Sequence, residues 1–183
     1  MQTALLLIDI QNDYFPGGKM VVEGSLLASE QARRVLTAFR ERNLPVFHVQ
    51  HLSVRPGATF FIPETEGTEI HPNVKPLHHE PLIQKTFPNS FRDTSLLGLL
   101  KEQQIEHLII GGMMTQMCVD ATVRAAFDLG YRCTVLHDAC AARGLAFGGQ
   151  DVPAPQVHAA FLAALGAVYA KISSAEDYLK SLP

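Results

Sequence analysis

Residues 108–130 read LIIGGMMTQMCVDATVRAAFDLG. A continuous apolar run gives way to two glycines and a short polar step. A helical pattern then begins near Cys118 and stops at Gly130. Apolar residues at successive positions are expected of a strand covered on both faces, whereas a half-exposed strand alternates. Strand, tight turn and helix make half of a βαβ unit, so the flanking sequence decides whether the pattern continues.

It continues in both directions. Strands are predicted at 4–10, 45–50, 82–85, 107–111, 132–137 and 167–171. The N-terminal MQTALLLIDI has no basic leader or small-residue cleavage site, and it reads as the first strand rather than a signal peptide. The first helix is predicted from Ser25 to Asn43, with Ala28, Ala32, Val35, Leu36 and Phe39 at helical spacing and Pro45 beyond its end. Others are predicted from Asp93 or Thr94 to Gln103, from about Met117 to Leu129, over 154–165 and over 175–182. This alternation implies right-handed βαβ connections and an α/β fold: a doubly wound, mostly parallel six-stranded sheet with helices on both faces. At 183 residues the chain is expected to form a single domain over 1–183. Two segments lack periodicity, 52–81 with five prolines and two glycines, and 141–155; both read as lids, binding loops or subunit contacts.

Composition narrows the function. The net charge is -3 with no basic patch, which disfavours nucleic acid as a partner. No apolar run approaches the ~20 residues that span a bilayer, so no membrane partner is expected. Three cysteines, Cys118, Cys133 and Cys140, form no tight pair, which argues against a disulfide framework or structural zinc and for a reducing cytoplasm.

Ligands of an open α/β sheet bind beyond the carboxyl ends of the strands, where strand order reverses. With the common order 3-2-1-4-5-6, strands one and four meet there. Strand one delivers Asp9, and strand four leads to Cys118 in the first turn of a helix. Unpaired N–H groups and the helix dipole favour a thiolate at that position. Taken alone, Cys118 could equally be a small buried residue, Asp9 a turn former and Lys85 a snorkelling lysine. Their value lies in forming a set of acid, cation and thiol at three strand ends. His48 and His51 differ by an odd number and so point to opposite sheet faces. His51, next to a strand end, can line the crevice. No metal-binding histidine spacing, GxGxxG or Walker pattern is present. Asp13 fits a turn role, and Asp138 a capping role.

Three motifs, LLLIDIQNDYF, KTFPNSF and IIGGMMTQMCVDATVRAAFDLGYRCTVLHDACAA, resemble those of the isochorismatase-like cysteine hydrolases, a family that includes nicotinamidases and N-carbamoylsarcosine amidohydrolase. The resemblance covers roughly residues 4–142 and implies a Rossmann-like three-layer α/β/α fold. It implies a catalytic triad of Asp9, Lys85 and Cys118, a cis Met113–Met114 bond, and an oxyanion hole made by the N–H groups of Met114 and Cys118. Nicotinamidases carry an Asp-x-His metal motif after the second strand. Here VQHLS places His51 and Ser53 at those positions, so neither a metal nor another cofactor is implied. Gln11, Phe15, His51, Phe87 and Gln116, all beside triad members, are candidate substrate-binding residues. The implied activity is hydrolysis of an amide or related C–N bond of a small molecule through a thioester. The implied assembly is a homo-oligomer, dimer or tetramer. Alternatives are a vinyl-ether hydrolase of isochorismatase type, which needs no cysteine nucleophile, a non-catalytic interaction scaffold, and a thiol redox sensor that lacks an evident resolving cysteine.

Overall fold

A computed structural model describes residues 2–182. Its main sheet contains β1 (Gln2–Ile8), β2 (Val46–His51), β3 (Leu82–Lys85), β4 (Ile105–Met113), β5 (Arg132–Ala141) and, after a small hairpin, β8 (Lys171–Ser173). The strand order is β3-β2-β1-β4-β5-β8, and every neighbouring pair is parallel. The doubly wound six-stranded sheet inferred from the sequence is therefore the fold of the chain, with the order reversing between β1 and β4.

The apolar strands owe their continuity to two cores. Leu5 and Leu7 of β1 pack on one face with Val35, Leu36 and Phe39 of α1 (Ser25–Glu41) and Ala175 of α5 (Ala175–Ser181). Ala4, Leu6 and Ile8 point to the other face. There they join Leu96 and Leu100 of α2 (Leu96–Glu102), Val123 of α3 (Asp120–Asp128), and Leu162 and Leu165 of α4 (Ala154–Val168). From Ala4 to Ile8 each successive side chain of β1 is buried, on alternate sides. A strand in that position has no solvent face and needs no polar alternation.

Several boundaries differ from the sequence reading. The predicted last strand at 167–171 gives way to the end of α4, which runs to Val168 and closes with Tyr169 and Ala170 N–H groups donating to Leu165 O; β8 starts only at Lys171. The added turn, closed by those two N–H groups on Leu165 O, carries the helix past its predicted end. Segment 141–155 is not wholly irregular: it holds an antiparallel hairpin of β6 (Leu145–Phe147) and β7 (Gln150–Val152) around Gly148 and Gly149. The second helix starts later than predicted, at Leu96, whose N–H donates to Thr94 Oγ1. No helix of the described residues is long and apolar enough to cross a membrane.

Candidate active site

Strand register assembles the first three groups. Asp9 follows β1 in a left-handed conformation, φ 51°, which aspartate tolerates better than most residues. Its N–H donates to Val49 O at 3.0 Å. His51 and Lys85 are direct partners across β2 and β3. One sheet edge therefore presents acid, imidazole and ammonium side by side.

The thiol arrives from the far side of the reversal point. Gly112 pairs with Ile8, has φ 145°, and would place a Cβ 2.1 Å from Ile8 O. Only glycine lets β4 run this close to β1. The Met113–Met114 peptide bond that follows is cis, as the resemblance implies. Thr115–Val119 then form one wide π turn before α3, with Met114 O accepting from the N–H groups of Met117 (3.0 Å) and Val119 (3.3 Å). Turns of this kind recur at functional sites. The thiol of Cys118 sits on that turn, buried.

Lys85 Nζ is the hub. It donates to Asp9 Oδ2 at 2.7 Å, His51 Nδ1 at 3.0 Å and Cys118 Sγ at 3.3 Å. The side chains of Lys85 and Asp9 have no solvent exposure. A buried ammonium and carboxylate in this state persist only because each answers the other's charge. Burial pulls the Lys85 pKa down, but Asp9 and Cys118 outweigh it, so the group stays above its ordinary value and remains an ammonium. Asp9 Oδ1, also buried, has no hydrogen-bond partner among the described residues.

Burial and the Asp9 charge push the Cys118 thiol well up, and Lys85 offsets only part of that. Both influences oppose the thiolate expected from the helix start. A helix dipole does not overcome desolvation beside a carboxylate, and any nucleophilic role for this sulfur would require a base to take its proton. Cys133 and Cys140 are also free and buried, and desolvation raises each to about 12.

Asp9, His51 and Cys118 bring one potential ligand atom each within 4.8 Å of one another, the composition of a metal site. Lys85 Nζ lies within hydrogen-bond distance of all three residues. An ammonium thus holds the position a cation would take, and these residues do not fit a metal while Lys85 stands there.

Beyond Cys118 opens a cavity of about 370 Å³. Its wall includes Tyr14, His51, Arg55, Phe60, Met114 and Met117. Of the five predicted substrate-binding residues, His51 alone lines it. Gln11 is fully buried and braces the end of β2, accepting from His51 N–H (2.8 Å) and donating to the carbonyls of His51 (3.0 Å) and Thr68 (2.8 Å). Phe15 stacks on His71 with ring centres 3.7 Å apart. The Phe87 ring lies under the Arg92 guanidinium, and Gln116 Nε2 donates to Arg143 O at 3.3 Å. These four, though beside Asp9, Lys85 or Cys118 in sequence, do not line this cavity, because successive side chains beside a strand end diverge. The residues missed, Tyr14 and Phe60, had signals of their own: the first lies in the IQNDYF motif and the second in the long loop at 52–81.

The other assignments fall into place around the site. His48 points away from it, its Nε2 2.9 Å from Glu80 Oε2. Asp13 is a loop clasp: its carboxylate accepts from the N–H groups of Lys19 (3.1 Å) and Phe61 (2.6 Å). Asp138 Oδ1 accepts from Ala175 N–H at 2.7 Å and so caps the start of α5.

Sheet order and a polar cluster at the reversal point define a doubly wound α/β protein of the ligand-crevice type. An isochorismatase domain model matches residues 3–177. The isochorismatase family protein YddQ of Bacillus subtilis is 51% identical over 98% of this chain and 100% of its own. The nicotinamidase of Escherichia coli is 30% identical over 81% of this chain and 86% of its own. A crystal structure of an isochorismatase-type chain from Oleispira antarctica superposes with a TM-score of 0.94 at 48% identity, covering 98% and 96% of the two chains. The chain belongs to the isochorismatase-like hydrolase family.

Proposed function

We propose that this protein hydrolyses an amide or related C–N bond of a small molecule through a thioester on Cys118. The observation that carries the reading is the single ammonium of Lys85, which donates at once to Asp9 and to Cys118. Similarity to the Escherichia coli nicotinamidase supports the choice of an amide bond.

In this mechanism the Cys118 thiol gives its proton to Asp9 as sulfur attacks the carbonyl carbon. Asp9 Oδ1, without another partner, is the free acceptor. Lys85 stabilises the anionic charge as it moves from carboxylate to sulfur. The carbonyl π pair goes to oxygen, and the N–H groups of Met114 and Cys118 form the oxyanion hole that receives it. Collapse of the tetrahedral adduct breaks the C–N bond, and Asp9 returns the proton to the departing ammonia or amine. Water then gives a proton to Asp9 and attacks the thioester; collapse releases the carboxylic acid and restores the thiol. Such chemistry needs a reduced sulfur, which fits a cytoplasmic setting. A homo-oligomeric assembly, dimer or tetramer, belongs to the same proposal.

The test is an amide panel read by ammonia or amine release, run with the Cys118→Ala and Asp9→Asn variants. Turnover in the wild type that falls by about 10³-fold or more in both is the expected outcome. Amide turnover retained by Cys118→Ala would remove the thioester from this reading; a vinyl ether cleaved equally by wild type and Cys118→Ala, with no amide turnover in either, would replace it with direct protonation by Asp9.

A further inference from the structure

The cavity beside Cys118 has a polar wall that the catalytic scheme does not use. His51 occupies it with one nitrogen committed. An ammonium has three protons to donate and no lone pair to accept with, so in the Lys85–His51 contact Nδ1 must be the acceptor. Burial, then the Lys85 charge, lowers the His51 pKa to about 4, so the ring is neutral at pH 7. A neutral imidazole carrying a lone pair on Nδ1 carries its proton on Nε2. That N–H has no hydrogen-bond partner among the described residues, and it is not sealed from the cavity that His51 lines. It is a fixed, unused donor.

Arg55 stands on the same wall. Its exposed guanidinium makes no hydrogen bond or ion pair among the described residues, yet it lies close enough to His51 for its charge to be felt there. Among the described residues of the lining, Arg55 is the one with a full charge, and no carboxylate lines the cavity. The Asp9 charge is already matched by Lys85. The remaining wall is largely apolar, with Tyr14, Phe60, Met114 and Met117 prominent.

From these observations we infer that the pocket selects substrates bearing an anionic group, a carboxylate in the first instance, received by Arg55 and the Nε2–H of His51 and carried on an apolar body. The inference rests on the proposed acyl chemistry only for the identity of the second functional group, the amide at Cys118. Recognition itself needs no reaction.

The experiment separates the two accordingly. Binding of 4-carbamoylbenzoate and of its uncharged counterpart terephthalamide is measured by titration calorimetry on Cys118→Ala, in which no acyl bond can form. The charged ligand should bind about tenfold more tightly, and adding Arg55→Gln should bring the two within about threefold of each other while terephthalamide binding stays constant. Nitrogen NMR of the imidazoles should show His51 neutral with its proton on Nε2, and that signal should move when the carboxylate is added. Equal affinity for the pair, no binding of either, a preference that survives Arg55→Gln, or a proton on Nδ1 of His51 would overturn the inference. A failure of the catalytic reading shows elsewhere, as undiminished turnover in Cys118→Ala, and leaves these binding results interpretable.

Discussion

Lys85 has three protons and spends them on three different residues, which makes it the most demanding position in the chain. Replacing it with methionine leaves the Asp9 carboxylate buried without a counter-charge, a change that costs about 3–5 kcal/mol in comparable buried pairs. Lys85→Met is therefore expected to unfold at clearly lower urea concentration than wild type and to lose turnover by about 10²-fold or more. His51 gives a pH signature. Its pKa is about 4 in the folded protein against 6.5 for the free side chain, because burial and then Lys85 disfavour its charged form. Below pH 6.5 the unfolded chain takes up a proton that the folded chain refuses. The stabilising contribution is thus complete above 6.5 and is lost as pH falls through 4. Urea melts between pH 7 and 4 should show wild type losing roughly 1–2 kcal/mol more than His51→Asn, allowing for solvent screening of a partly open site.

At the scale of elements, the site depends on two close approaches. The first is β4 against β1 at Gly112. Gly112→Ala sets a methyl group against Ile8 O at a left-handed backbone position, and a loss of about 3 kcal/mol or more is expected in denaturant melts, with activity lost alongside. The second is the clasp of the loop at 52–81. Asp13 receives the Phe61 N–H, and Gly67 packs so tightly against the Asp13 carboxylate that a Cβ would fall 2.2 Å from Oδ1. Asp13→Ala removes an acceptor from two N–H groups, Lys19 and Phe61. It should cost about 1–3 kcal/mol, speed amide exchange around Phe61, and raise KM more than it lowers kcat, because the loop forms the cavity wall and not the triad. Elements were legible where burial alternates between two cores, as in β1 and α1, since there periodicity and packing carry the same information. The hairpin at 145–152 was not, because it packs on neither core and its strands are only three residues long. The π turn at Cys118 was hidden too, since an inserted residue leaves no mark in hydrophobic spacing.

Across the whole molecule, strand order does what no local motif does: it brings residues 9, 51, 85 and 118 to one point from four strand ends. Three of those four could be listed from the sequence as a set because position at a strand's carboxyl end is itself a chemical statement in this fold. Much of the pocket wall could not, since Ser53 to Ala58 and Phe60 come from the loop at 52–81, whose path is set by tertiary bonds such as those of Asp13 and Gln11 and not by its own pattern. Assembly is the remaining property at this scale. Sedimentation velocity is expected to show a dimer or tetramer, and a single monomeric species across the accessible concentration range would contradict it.

The central claim is that Cys118 carries the acyl group, and peptide mapping of a quenched reaction tests it most directly. Wild type mixed with p-nitrophenyl acetate, stopped in acid and digested, should yield an acetyl group on the Cys118 peptide, with none on the same peptide from Cys118→Ala. An acyl group found on another residue, or ester turnover with no adduct and no dependence on Cys118, would contradict the account.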